Sequence, residues 1–395
     1  MILSERHIIK NSELFNELDN MCFLSKNLYN KGLYIVRQHF FNTEKYLNYN
    51  TLENILKKSK DVDYYALPTK VSQQILMVLD NNFKSFFKLL EKKKKGLYKE
   101  KVKIPKYLDK DSRNLLIFTS QAISKKFIKN GIIKLSNVKS TIKTKVKTIK
   151  QVRIIHKGNH IVAEVLYEKQ SKDIVTNNRY AAIDLGLNNL ATISSNVTKP
   201  FIVNGKPLKS INQYYNKTKS NLQSKLKNNE KSNKRISSLN LKRNNKINDY
   251  LHKSSTFIVN YLVSNNISML IVGHNKEWKQ NIKIGKKNNQ NFVSIPHSRF
   301  KELLKYKCEL EGINYIEIEE SYTSKCSFLD NEEICKHTSY KGKRVKRGIF
   351  KSNDGTLINA DVNGSLNILK KVVGNFYYDP IEVCSTPSVY TVKFN

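Results

Sequence analysis

The chain has 395 residues, 70 of them lysine or arginine against 33 aspartate or glutamate, for a formal net charge of +37. That length makes two or three structural units the expectation. A 39% apolar content with 17 Phe and 21 Tyr excludes a wholly disordered basic tail. No apolar run approaches the roughly 18 residues of a membrane span. The start, Met1-Ile2-Leu3-Ser4-Glu5-Arg6, lacks a basic-then-apolar secretory pattern. Five scattered cysteines form no disulfide framework, which fits a reducing compartment. The expected location is therefore cytoplasmic and nucleoid-associated. A charge of +37 repels itself unless a polyanion neutralises it, so nucleic acid is the expected partner, ahead of an anionic membrane surface.

Helical spacing begins early. Leu14, Leu18, Cys22, Leu28, Tyr29, Val36 and Phe40 share a face, with Ser12 as N-cap. A second helix starts at Pro68 and carries Val71, Ile75, Val78, Leu79, Phe83, Phe86 and Leu90 into the basic stop Lys92-Lys93-Lys94-Lys95-Gly96. From Lys101 the period shifts towards alternation. Lys139 to Lys150 read as strands with one wet, basic face, and Val152–Ile155 with Ile161–Leu166 read as a hairpin around Lys157-Gly158-Asn159. Residues 1 to about 175 thus read as a small β domain carrying a helical insertion.

After Arg179 the pattern is that of a mixed α/β sheet. Strands are expected at Ala181–Leu185 and Leu190–Ile193. A long helical hairpin follows between Lys206 and Lys253, where 13 basic residues face only Glu230 and Asp249. That imbalance suits phosphate contact, since a merely soluble helix mixes both signs. A strand at Ser268–Val272, a helix through Phe300, Leu303, Leu304, Tyr306 and Leu310, and a strand at Tyr315–Glu320 complete the sheet.

Three carboxylates stand out. Asp184 interrupts an apolar strand, and a carboxylate there is costly unless a cation sits beside it. A divalent ion or an arginine would satisfy it. Asp361 opens a helix with Val362, Leu366, Leu369 and Val373 as its apolar stripe. The small Gly364 and Ser365 stack on the Asp361 face. On its own, Asp361 reads as an ordinary first-turn acid favoured by the helix dipole. Strand parity then assigns Ile316, Ile318 and Glu320 to the buried face and Glu317 and Glu319 to solvent. Three inward carboxylates suit two-metal phosphodiester hydrolysis, with Mg²⁺ or Mn²⁺ preferred by hard oxygen ligands.

Three segments carry a resemblance: Asp184-Leu185-Gly186-Leu187-Asn188-Asn189-Leu190-Ala191-Thr192, Tyr322-Thr323-Ser324-Lys325-Cys326-Ser327, and Asp361-Val362-Asn363-Gly364-Ser365-Leu366-Asn367-Ile368. Together they resemble the TnpB (OrfB) proteins of transposons, compact RNA-guided DNA nucleases related to type V CRISPR effectors and Fanzors. The resemblance implies a RuvC-like, RNase H-type domain over 179–323 and 359–375. It also implies a wedge-like β-barrel over 1–10 and 101–175, interrupted by a helical recognition insertion over 11–100. A degenerate zinc-ribbon-like insertion at 324–358 and a tail at 376–395 complete the division. Guide RNA and double-stranded target DNA are the implied partners, with no membrane involved and monomer and dimer both open. Asp184, Glu320 and Asp361 are the implied catalytic, Mg²⁺-holding residues.

The chain departs from the family pattern twice. The usual middle glutamate directly follows the strand matched by Leu270-Ile271-Val272, but Gly273-His274-Asn275 stands there. Some branches instead place a glutamate before the Thr-Ser motif, where Glu320 lies. Glu277 is the runner-up. The four-cysteine ribbon is reduced to Cys326, Cys335 and His337, with Ser352 and Asp354 near the missing pair. A zinc site with an unidentified fourth ligand is one reading and a zinc-free remnant is the preferred one. Trp278 is a candidate for stacking on a base. Substitution of the middle glutamate also supports a second function, a nuclease-dead RNA-guided repressor.

Overall fold

The computed structural model describes all residues except 11, 228–229, 231, 276–294 and 394–395. Two compact units divide the chain, Met1–Lys169 and Gln170–Asn395. Among the described residues no helix is long and apolar enough to cross a membrane.

The first unit opens with β1 (Ile2–Ile9) and then four helices, α1 (Glu13–Thr43), α2 (Tyr49–Lys58), α3 (Val62–Tyr65) and α4 (Thr69–Lys94). Ser12 caps α1 by accepting from the Phe15 amide, and Pro68 occupies the N-cap of α4. Next come β2 (Leu116–Thr119), the short α5 (Lys125–Ile128), β3 (Ile132–Ile133), β4 (Ile142–Lys143), β5 (Gln151–His156) and β6 (Ile161–Glu168). The main sheet runs β1-β6-β5-β2, all antiparallel, so the chain's first strand closes onto the far end of the unit. Hydrogen bonding leaves β1 and β2 as open edges. The described strands are therefore an open sheet beside the two-residue β3–β4 ladder, not a closed barrel. Leu28 and Leu33 of α1, Leu76 and Phe83 of α4, and Phe118, Ile154 and Val165 of the sheet belong to one continuous core.

Residues 139–150 differ from the expectation of strands. Only Ile142–Lys143 pairs there, yet Ile142, Thr144 and Val146 alternate buried with exposed neighbours. Extended backbone gives period-two burial without a ladder, so alternation alone overstated the strand content.

In the second unit, β7 (Tyr180–Leu185), β8 (Asn189–Ser195) and β9 (Phe201–Asn204) lead into the hairpin of α6 (Lys206–Gln223) and α7 (Lys234–Ser264). Then follow β10 (Met269–His274), α8 (His297–Leu310) and β11 (Asn314–Glu319). A small three-stranded sheet, β12 (Lys343–Lys346), β13 (Ile349–Lys351) and β14 (Leu357–Asn359), precedes α9 (Ala360–Val373). The chain closes with α10 (Pro380–Cys384) and β15 (Ser388–Tyr390). The principal sheet has the order β11-β10-β7-β8-β9-β15. β10 is parallel to β7 and β11, whereas β8 runs antiparallel to both its neighbours. Two strands escaped sequence reading. β9 is a four-residue run behind Pro200, and β15 is a three-residue edge in what reads as a tail.

Helices cover both faces of this sheet. Ala181, Ile183, Leu270 and Val272 pack with Leu251, Ile258, Phe300 and Leu304 of α7 and α8. Ala182 and Ile271 on the other face pack with Ile368 and Leu369 of α9. Glu317 is exposed, as its place on the strand indicates, and is also held by partners. Its face lies under α8, where Lys301 Nζ reaches it at 2.5 Å and the Tyr315 hydroxyl donates at 3.0 Å.

A carboxylate site at the strand ends beneath α9

Alternation along β7 puts Asp184 on the α9 face, two residues beyond Ala182. Ile271 of β10 pairs with Ala182 and Val272 with Ile183, so Gly273 lies level with Asp184 on the neighbouring strand. Gly273 in turn pairs with Ile318 of β11, and Glu320 follows two residues later on the same face. Register thus brings a carboxylate, a glycine and a second carboxylate to one end of the sheet.

The missing side chain at 273 leaves the room that Glu320 uses. A Cβ built on Gly273 would stand 2.5 Å from Glu320 Oε2 and 2.6 Å from Ile368 Cδ1. Asn275 Nδ2 donates to Glu320 Oε1 at 2.8 Å and fixes the carboxylate's orientation. The other oxygen, Oε2, is buried without a hydrogen-bond partner among the described residues. Burial raises the Glu320 pKa, against a weaker opposing pull from Lys301.

Asp361 enters from above. Asn359 caps α9, its Oδ1 accepting from the Asp361 and Val362 amides, so Asp361 sits in the first turn as the sequence indicates. Its Oδ2 accepts from Asn189 Nδ2 at 2.7 Å and its Oδ1 from Arg344 Nη2 at 3.1 Å. Gly364 admits Asp184 to the helix, since a Cβ there would meet Asp184 Oδ2 at 2.8 Å. Removal from water, then the charges of Glu320 and Asp361, raise the Asp184 pKa well above its usual range, and Arg344 offsets only part of this.

Like-charged carboxylates gathered in partly buried protein, one oxygen of them orphaned, suit a cation. All are hard oxygen donors, which fits Mg²⁺ or Mn²⁺. Among the described residues no three His, Cys, Asp or Glu side chains stand close enough to share one ion as they are. The three carboxylates form an electrostatic cluster in which Arg344 and the two asparagines hold the outer positions.

Sequence reading missed the parts that hold this cluster together. Asn363 Nδ2 donates to the Cys326 carbonyl at 2.9 Å, and its Oδ1 accepts from the Phe328 amide at 2.9 Å. Asn367, one turn later, donates to the Thr323 and Cys326 carbonyls. Ser365 pairs with Ser194 of β8. Two fully buried asparagines four apart on one helix were the available signal, because buried amides need partners. Asn363→Ala is expected to lower unfolding stability by about 1–3 kcal/mol, as the buried Phe328 amide loses its acceptor. Chemical denaturation checks this, and an unchanged midpoint would remove the staple.

The zinc candidates do not meet at one point. Cys335 Sγ lies 3.4 Å from His337 Nε2, but the Cys326 thiol is buried, with a raised pKa, and directed to the Cys335 carbonyl. Ser352 and Asp354 instead form a turn, Asp354 accepting from the Thr356 amide and hydroxyl. Buried Glu332 accepts from the Ser327 and Lys341 amides. Glu277 and Trp278 lie outside the described residues.

A five-strand core ordered β11-β10-β7-β8-β9, with only β8 reversed, is the arrangement of RuvC-type, RNase H-like nucleases. The OrfB_IS605 family, described as a probable transposase, matches residues 161–279, and the Cas12f1-like TNB domain matches 297–368. A TnpB-like protein, ORF457 of Acidianus two-tailed virus, is 27% identical over 91% of this chain and 84% of its own length. Both family matches and the viral relative make the chain similar to TnpB-type, OrfB proteins. Among solved structures, a Cas12f1–sgRNA–target DNA complex is similar with a TM-score of 0.39 and 15% identity, covering 93% of this chain and 98% of that one. A CRISPR-Cas12f ternary complex gives 0.36 and 15%, covering 90% and 80%.

Proposed function

We propose that the chain is an RNA-guided DNA endonuclease that cuts target DNA beside a short flanking motif, with Asp184, Glu320 and Asp361 as the catalytic carboxylates. The observation that carries this reading is the Glu320 carboxylate lying over Gly273, oriented by Asn275 and with Oε2 unpartnered among the described residues. It supplies from β11 the charge that the family pattern places at the end of β10. The domain division given above, with a wedge-like β-barrel domain, a helical insertion, a nuclease domain and a ribbon-like insertion, belongs to the same proposal.

Two divalent ions, Mg²⁺ or Mn²⁺, supply an activated water and stabilisation of the leaving oxygen when bound. The chain's own groups do the remaining work. Asp184, half-buried beneath α9, would carry its negative charge at the sheet end once a cation offsets its raised pKa. Asn275 and Asn189 keep Glu320 and Asp361 in fixed orientations. Arg344, half-exposed on β12, brings a guanidinium to the rim beside Asp361, where a phosphate oxygen is a natural acceptor. Guide pairing would carry most sequence specificity, leaving the protein to read a short duplex motif.

Purification should yield a specific RNA bound with steep salt dependence. Each neutralised phosphate contributes roughly −0.7 (single strand) to −0.9 (duplex) to the log–log slope. Sequencing that RNA and supplying a matched duplex should give Mg²⁺-dependent cleavage. RNase treatment that alters neither DNA binding nor cutting would refute guide dependence. Guided binding with no cutting under Mg²⁺ or Mn²⁺ would select the repressor, the reading that the glycine at 273 keeps open.

A further inference from the structure

The α6–α7 hairpin carries a groove of about 740 Å³ that the carboxylate site does not use. Its size falls within the range of about 300–1,000 Å³ of small-ligand pockets. Ile211 and Leu239 give it an apolar floor, and Tyr214 and Tyr215 give it aromatic walls. Arg235, Lys242, Arg243 and Lys246 also line it, and no carboxylate does among the described residues. Tyr215 is already fixed. Its hydroxyl donates to Asn240 Oδ1 at 2.6 Å, and the Arg243 guanidinium lies 4.9 Å from its ring centre. Arg243 is itself anchored, its Nε donating to Asn212 Oδ1 at 2.8 Å. Tyr214 by contrast is 68% exposed.

Charge selects the occupant. A second copy of a +37 chain would bring more positive charge to a rim of four cations. An apolar peptide would cover the floor and leave those cations unused. A base has an aromatic face for Tyr214 and phosphates on either side for the cations. We propose that this groove seats an unstacked base of single-stranded nucleic acid, its ring against Tyr214 and its flanking phosphates on Lys242 and Lys246. The proposal rests on the nucleic-acid reading above for its choice of polyanion, and RNA and displaced DNA present the same chemistry to it.

Full-length protein freed of bound RNA is titrated with a labelled single-stranded RNA, the single-stranded DNA of equal sequence, and the duplex. Tyr214→Ala should weaken single-strand binding roughly 5- to 150-fold, the range for one base stacked on an aromatic ring. Duplex affinity and the salt slope should hold. Lys242→Gln should instead flatten the slope by roughly 0.7. Tyr214→Phe keeps the stacking face and should bind like wild type. The single strand that responds to Tyr214 identifies the source. Unfolding temperatures of the variants exclude a folding defect, for which an exposed tyrosine gives no cause. Equal affinity in Tyr214→Ala, or equal losses for single strand and duplex, overturns the site. So does a wild-type dimer that Tyr214→Ala dissolves in sedimentation. Single-strand binding through Tyr214 in a protein that never cuts leaves the groove standing and fails the nuclease reading. Cutting with Tyr214→Ala binding unchanged does the reverse.

Discussion

Glu320→Gln is expected to reduce guided cleavage by roughly 10³-fold or more, the several kcal/mol of transition-state charge stabilisation that depends on the bound ions. Glutamine keeps the volume over Gly273 and removes the charge. Burial raises the Glu320 pKa, so the ionised form strains the folded protein, and the metal-free variant should melt at or above the wild-type temperature. A carboxylate with a structural role would give the opposite pattern, lower stability with activity following it down. Glu319→Gln is the matched control. It lies one residue away on the other side of the strand, exposed, its carboxylate accepting from the Ser321 hydroxyl, and should cut nearly normally. Cleavage rates and melting curves for these two variants decide the matter. If Glu320→Gln cuts like wild type, suspicion moves to Glu277.

Asp184→Asn should abolish cleavage and make the metal-free protein more stable, with a distinct pH signature. The Asp184 pKa is raised in the folded state, by desolvation first and by Glu320 and Asp361 next. In the unfolded chain it titrates near the ordinary value of about 3.9. The folded protein therefore binds the extra proton between these two values. Stability is full below pH ~4 and falls as pH rises through the raised folded value. An asparagine side chain cannot titrate, so the Asp184→Asn variant should lose that part of the decline and be the more stable protein at neutral pH. Added Mg²⁺ should raise wild-type stability by about 2.7 kcal/mol at a concentration one hundred times its Kd, and raise the variant's much less. Thermal melts over pH, with and without Mg²⁺, test this. Identical pH profiles for both proteins would show that Asp184 carries no such strain.

Much of this was legible in residue order. Apolar strands at 181–185 and 269–272 and the helix at 360–373 stood out because long runs of one period leave few alternatives. Parity placed Glu320 on the face of Ile318, and the structure puts it there. Glu317 is exposed as parity indicated, although Lys301 also holds it, a contact that parity could not give. What parity could not give was depth. Gly273 reads as a lost residue until register sets it between Asp184 and Ile318, where its missing Cβ is the space Glu320 fills. Arg344 beside Asp361 was equally hidden, since the contact depends on how β12 folds back across seventeen residues of chain. The short strands β9 and β15 lacked the length for periodicity to register. Asn363 and Asn367 were visible as residues, but their meaning came only with the loop they hold.

Relocation of the middle carboxylate is tested most directly by moving it back. Cleavage rates are compared for wild type, Gly273→Glu, Glu320→Gly and the double variant Gly273→Glu/Glu320→Gly, with melting curves to confirm that each is folded. Gly273→Glu alone should be inactive and destabilised by about 1–3 kcal/mol, since its Cβ would stand 2.5 Å from Glu320 Oε2 and the core is overpacked. Glu320→Gly should fold and fail to cut. The double variant, with one carboxylate returned to the end of β10, should cut at least roughly tenfold faster than Glu320→Gly. A Glu320→Gly protein that cuts at the wild-type rate, or a Gly273→Glu protein that does, would contradict the exchange of these two positions.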